Sequence, residues 1–173
     1  MTTNSLRREL YHGTRDLHDA LDESIGPLSR REDYARYLVG TLQFRGALEG
    51  PLATGAFPAL QLLADLRRDL ADLGIKARSE MPPIAVETHE ARVAALYVAE
   101  GSAVGARLIS RRAAHLGFDQ TFGARHLSRQ ASESDRWPRF LQWLEVQDVA
   151  HERVVTEGRR VFLVALQAFG VDA

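Results

Sequence analysis

The stretch Leu96-Tyr97-Val98-Ala99-Glu100-Gly101-Ser102-Ala103-Val104-Gly105-Ala106-Arg107-Leu108-Ile109 decides how this chain is read. Apolar side chains recur through it at intervals of three and four, the helical period. The run holds from about Thr88 to Leu116, where Gly117 offers a stop. Two glycines sit inside it without breaking the period. In a helix interior each costs about 0.5–1 kcal/mol relative to alanine, so Gly101 and Gly105 need an offsetting gain. With Ser102 and Ala106 they form a strip of helix almost bare of side chains. Such a strip admits either a second helix packed very closely or a flat ligand lying on the backbone, and the glycines also let the helix bend.

The same period governs the flanking sequence. Leu6, Leu10, Leu17 and Leu21 mark a first helix from about residue 4 to 24, broken by Gly26 and Pro27. A second opens at Ser29, with Ser29 and Glu32 spaced as a capping box. It carries Tyr34, Leu38, Leu42 and Leu48 to a stop near Gly50 and Pro51. A third spans roughly 58 to 73, with Leu62, Leu63, Leu66, Leu70 and Leu73 as its buried positions and Gly74 as its stop. Ile75 to Ile84 contains consecutive prolines and reads as a loop. Phe118 to Ser134 reads as a loop or short helical turns. Trp137, Phe140, Leu141 and Leu144, then Val154, Val155, Phe162, Leu166 and Phe169, give two helices or one bent helix. Strict alternation over four or more residues is hard to find, so the expected fold is all-α, one helical bundle over residues 1–173.

Composition narrows the function. With 173 residues, 45% of them hydrophobic and 26% charged, the chain can bury a sizeable core without disulfide or structural metal. It has no cysteine, which removes thiolate metal sites, iron–sulfur ligation and cysteine nucleophiles. Twenty-two basic residues against 23 acidic ones leave no field for nucleic acid or an anionic membrane. Lys76 is the only lysine, so the basic partners available to carboxylates are arginines. The start, MTTNSLRREL, is polar, and no stretch reads as the roughly 20 apolar residues of a membrane span. A cytoplasmic monomer is the expectation.

Several chemistries lack their motifs. There is no His-Glu-x-x-His, no pair of Glu-x-x-His motifs for a di-iron centre, no phosphate-cradling glycine loop and no Gly-x-Ser-x-Gly elbow. An enzyme built this way calls for a bound group that carries its own chemistry. His18 stands at the margin of the first helix's apolar stripe, one turn after Thr14, with Asp22 at i+4. A carboxylate there can accept the Nδ1 proton and leave Nε2 free for a metal; the plainer alternative is a border histidine bonded to its neighbours. His12, His89, His115, His126 and His151 lie among polar neighbours and are expected to be exposed. His12 shares His18's helix, but six residues place the two on different faces.

At these segments the sequence resembles the biliverdin-producing heme oxygenases, particularly the bacterial branch associated with phytochromes. Thr14, His18 and Asp22 match that family's Thr-x-x-x-His signature and following carboxylate. Tyr97, Glu100, Gly101, Ser102 and Gly105 match its Tyr-x-x-Glu-Gly-Ser-x-x-Gly-Gly run, and Arg160 to Phe169 is similar to its Phe-rich closing helix. The resemblance covers nearly the whole chain. It implies heme b, as substrate and cofactor, held between the first and fourth helices, with His18 as the axial ligand and Thr14 beside it. Gly101, Ser102 and Gly105 would cross the opposite face, where O2 reacts and is steered to one meso carbon. Serine stands where some members have aspartate, so its hydroxyl or its waters would supply the proton. Ala106 replaces a second adjacent glycine, which adds a methyl group to a tight site.

Arg139, Arg159 and Tyr97 are the candidate partners of the heme propionates, and Phe162 the candidate ring contact. Electrons would come from an external donor such as a ferredoxin or a flavin reductase, and the pigment could pass to a phytochrome. Two further readings stay open at this point. One is a catalytically impaired heme carrier or sensor on the same scaffold, and the other is a helical interaction module whose glycine strip binds a partner helix.

Overall fold

The computed structural model describes residues 5–76 and 81–171; the first residues of the predicted opening helix and domain, the middle of the predicted 75–84 loop and the final two residues lie outside them. Among the described residues every regular element is a helix. α1 is Leu6–Ile25, capped by the Ser5 hydroxyl, which accepts from the Arg8 amide at 3.3 Å. It ends at Gly26, whose φ of 69° suits a residue without a Cβ. α2, Arg31–Glu49, starts later than Ser29. Leu28 is buried at a φ of 53° and sets the chain's approach, so Asp33 rather than Glu32 closes the cap. The Arg30 amide donates to Asp33 Oδ2 at 3.1 Å, and the Ser29–Glu32 box does not form.

α3 is Leu63–Asp72, shorter than the 58–73 reading. The Glu49 carboxylate explains the late start. It accepts the amides of Leu62 at 2.8 Å and Leu63 at 3.2 Å, which satisfies the free N–H groups of a helix beginning there. Arg45 holds Glu49 in place at 2.9 Å, and both side chains are buried. Leu63 and Leu73 are only partly buried. α4, His89–His115, is capped by Thr88 and followed by Gly117 at a φ of 87°. Residues 118–134 contain α5, Arg125–Ser132, and the last third forms two helices, α6, Arg136–Glu145, and α7, His151–Ala168.

α7 is the axis of the bundle: α1 and α4 both pack along it, while α1 and α4 make no sustained contact with each other. The α1–α7 approach depends on small residues. A Cβ on Gly13 would fall 2.4 Å from Val155 Cγ1, and one on Gly158 would fall 3.3 Å from Leu10 and 3.4 Å from Thr14. Two apolar clusters result. One joins α1, the N-terminal half of α4, α6 and α7; the other joins α2, α3, α5 and the C-terminal half of α4.

α4 changes character along its length. Nearly every residue from Ala91 to Glu100 is buried, but beyond Gly101 only Ala106 and Ala113 are. By length and composition α4 could cross a membrane, contrary to the reading that no stretch could; 44% of its most apolar window lies inside the protein.

Candidate functional site

The half of α4 that leaves the core carries the glycines. Val104 is 60% exposed and Leu108 48%, large apolar side chains flanking Gly101 and Gly105 on one face. Among the described residues nothing requires glycine at either position. A Cβ on Gly105 would meet nothing within 4 Å, and one on Gly101 would touch the Trp137 ring at an ordinary 3.9 Å. The contrast is with Gly13 and Gly40, where a Cβ would collide with Val155 and Phe169. The close helix partner that could have explained the strip is therefore absent at Gly105.

Two polar residues of the segment, Glu100 and Ser102, are engaged by neighbouring helices. Glu100 is buried and ion-paired to Arg136 on α6, at 2.6 and 2.8 Å. Ser102 donates to the Ala99 carbonyl at 2.7 Å and accepts from Gln130 on α5 at 3.1 Å. Ala106, expected as part of the strip, is 1% exposed and packs into the second cluster. On a helix it lies one residue, about 100°, beyond Gly105, and that turn carries its methyl group inward. Tyr97 sits half-buried one turn before Gly101, with its ring 6.1 Å from Trp137. Burial pushes its hydroxyl pKa up, with Arg7 pulling the other way, so the group stays protonated and able to donate.

His18 projects from α1 with its side chain 54% exposed. Its ring meets Phe162 of α7 edge to face at 6.1 Å, and Nδ1 lies 3.4 Å from Asp22 Oδ2 and 3.8 Å from Asp19 Oδ1. Carboxylates on the Nδ1 side favour the tautomer that leaves Nε2 with its lone pair. Thr14 is on the same helix but not at the opening. It is buried against Gly158, and its hydroxyl donates to the Leu10 carbonyl at 2.8 Å.

The two arginines chosen as anion partners are placed differently. Arg159 grips Asp16 at 2.6 and 2.8 Å and the Gly13 carbonyl at 2.7 Å, tying α7 to α1. That hydrogen bond holds the Asp16 carboxyl down at about 2. Its donors are thus engaged by a carboxylate 143 residues away, and it does not stand ready for a ligand. Arg139 is 62% exposed with only Asp135 nearby, at 3.6 Å.

His126, expected at the surface, is fully buried. Its Nδ1 donates to Asp69 Oδ2 at 2.8 Å, and Asp69 also accepts the amides of Arg125 and His126 at 3.0 and 3.1 Å. Burial lowers the imidazole pKa, partly countered by Asp69. Asp69 is itself pushed up by burial and brought below the usual carboxylate range by these hydrogen bonds. The pair is therefore neutral histidine beside charged aspartate. His126 Nε2 has no hydrogen-bond partner, the one buried side-chain atom so placed among the described residues. Its partner, 57 residues away, was invisible locally.

Glu9 and His12 have Glu-x-x-His spacing, but Glu9 reaches His151 at 3.3 Å, and no group of three or more His, Cys, Asp or Glu that could hold a metal occurs among the described residues. A groove of about 550 Å3 lies elsewhere, between α2 and the end of α7, lined by Val39, Gly40, Lys76 and Phe169 and containing none of the predicted residues.

Comparison with known proteins identifies the chain's relatives. No protein-family model matches the chain. It is 30% identical over 156 residues, 81% of this chain and 77% of the relative, to the heme oxygenase PigA of Pseudomonas aeruginosa. Its fold matches the NO- and CO-bound heme oxygenase of Neisseria meningitidis with a TM-score of 0.74 at 23% identity, over 98% of this chain and 94% of that one. An all-helical bundle with this fold match and this sequence similarity shows that the chain is an enzyme of the heme oxygenase family.

Proposed function

We propose that this protein opens heme to biliverdin, CO and iron with O2 and electrons from an external donor, and that His18 is the axial ligand. The observation that carries the proposal is that no contact among the described residues calls for glycine at Gly101 or Gly105. A helix keeps two unfavourable residues beside exposed Val104 and Leu108 when something flat and apolar, outside the chain, comes to lie on them.

Bound heme supplies the iron at which O2 reacts and the carbon that is oxidised. The protein's own residues do the rest. His18 presents Nε2 while Asp22 and Phe162 limit the swing of its ring. Gly101 and Gly105 let backbone come close and exclude water. Glu100, next to Gly101, stays paired with Arg136. Tyr97 and Arg139 remain the partners for the propionates, and Arg159 is replaced in that role by its engagement with Asp16. The same reading takes a ferredoxin or flavin reductase as donor, a monomer in the cytoplasm as the working form, and a phytochrome as a recipient of the pigment.

The test is a hemin titration followed by reduction in air. A Soret band of histidine-ligated heme, converting to a bile-pigment spectrum, is expected. His18→Ala should weaken binding by at least about tenfold, equivalent to about 1.4 kcal/mol. Equal affinity and conversion in that variant would remove His18 from the assignment. Stable ferric heme with no pigment would favour a carrier.

A further inference from the structure

The groove between α2 and the end of α7 has a chemistry of its own. Its floor is apolar. Val39 and Ile75 are half-buried edges of the second core cluster, and Phe169 lies so close on α2 that a Cβ on Gly40 would fall 2.6 Å from its Cδ1. Its polar lining is two cations and two amides, Arg36, Lys76, Gln43 and Gln167, and no Asp or Glu occurs among the described residues that line it. Lys76, the only lysine, is exposed and makes no hydrogen bond or ion pair with a described residue. Arg36 gives one Nη to Asp33 at 2.7 Å and keeps its other N–H groups. At about 550 Å3 the groove falls within the range of small-molecule sites, roughly 300–1,000 Å3. An apolar floor rimmed by positive charge complements a molecule with an apolar body and carboxylate arms.

We propose that this groove is a second binding site, and that its ligand is the open-chain tetrapyrrole dicarboxylate that the heme-oxygenase reading makes the product. The inference rests on that reading. The product's two propionates meet Arg36 and Lys76, and its apolar conjugated rings lie on Val39, Ile75 and Phe169. Its terminal lactams each carry one N–H and one C=O, and the Gln43 and Gln167 amides both donate and accept. Heme offers the same carboxylates on a rigid plane and has no lactams, so the groove favours product over substrate. None of the residues assigned to heme lines it, so pigment can rest there while the next heme is bound.

The test uses protein whose heme site is filled with gallium protoporphyrin, a heme analogue whose metal does not react with O2. Biliverdin is titrated in and followed by the circular dichroism of its long-wavelength band. One equivalent should bind with induced ellipticity, and amide shifts should cluster at Val39, Gly40, Ile75 and Gly170. Lys76→Glu should weaken binding at least about tenfold, because an attractive charged contact becomes a repulsive one. Biliverdin dimethyl ester, which lacks the carboxylates, should bind the parent about as weakly and lose nothing further in Lys76→Glu. Three results overturn the inference and leave the heme-oxygenase reading intact: no binding beyond the heme site, pigment affinity indifferent to Lys76→Glu or to esterification, or displacement of the pigment by equimolar decanoate. Failure of the parent to bind both gallium protoporphyrin and hemin overturns both.

Discussion

The His18 imidazole meets Phe162 edge to face, ring centroids 6.1 Å apart and planes at 69°, where α1 crosses α7. Phe162 is 5% exposed and cannot swing away, so it serves as a stop for the imidazole on the side opposite Asp22. Phe162→Leu should destabilise the heme-free protein by about 1–2 kcal/mol and weaken heme binding severalfold, since both support and ring contact are lost. Thermal melts and hemin titration of the same preparation check it; a loss of stability with unchanged affinity would show the ring to be a core aromatic only.

The glycines separate into two kinds, and substitution should distinguish them. Gly105→Ala should stabilise the heme-free protein by about 0.5–1 kcal/mol, because the added methyl meets open space and alanine favours the helix. The same variant should bind heme less tightly. Gly13→Ala should destabilise by about 1–3 kcal/mol, because Val155 Cγ1 lies 2.4 Å from the new atom and α1 must shift. Chemical denaturation with and without hemin measures both.

The buried His126–Asp69 pair should give the heme-free protein an acid-sensitive stability. The folded state holds the imidazole neutral, so its pKa lies below the unfolded value of 6.5. The unfolded chain then binds the extra proton first, and stability is full above about pH 6.5 and declines as pH falls below it. Asp69, also lowered, adds a further loss at more acidic pH, below the ordinary carboxylate value of 3.8. Melts at pH 8, 7, 6 and 5 should show the decline. His126→Asn, which cannot titrate, should flatten the profile between pH 7 and 5 at a cost of about 1–3 kcal/mol throughout.

Glu100 and Arg136 form the tie between α4 and α6, with the carboxylate 3% exposed. Arg136→Met strands that charge and should cost about 3–5 kcal/mol, whereas Glu100→Gln/Arg136→Met should recover a large part of the loss. Denaturation of the two variants side by side decides it; equal destabilisation would mean that packing of the arginine over Phe57 matters more than charge.

Where local signals were strong, the sequence was readable. The Leu6–Leu21 stripe with Gly26 and the Thr88–Gly117 run rest on periodicity and glycine stops, and α1 and α4 follow them; the last third, left as two helices or one bent helix, is two, α6 and α7. Misreadings came from partners distant in the chain. Residues 58–62 look helical, but Glu49, 13 positions before Leu62, starts the helix later. α5, with Arg125, His126, Ser128, Arg129 and Gln130 in eight residues, lies in the stretch read as a loop or short helical turns, and the sequence did not choose between the two. Its fixed point is Asp69, on another helix. Arg159 looked free because Asp16 lies at the opposite end of the sequence. Ala106 was misplaced for a different reason: neighbours along a helix do not share a face.

The wall bearing His18 is fastened along one edge. α1 rests on α7 and, more lightly, on α6, with the Gly13 and Gly158 contacts as its narrow bearing and Arg159 as an outer clasp. Leu6 and Leu10 belong to the first core cluster, whereas in the second α1 contributes only the partly buried Ile25, so a roll of α1 on that bearing slides two leucines along α7 and leaves the second cluster almost untouched. Amide exchange that runs ahead in α1 while α4 stays protected would register this freedom.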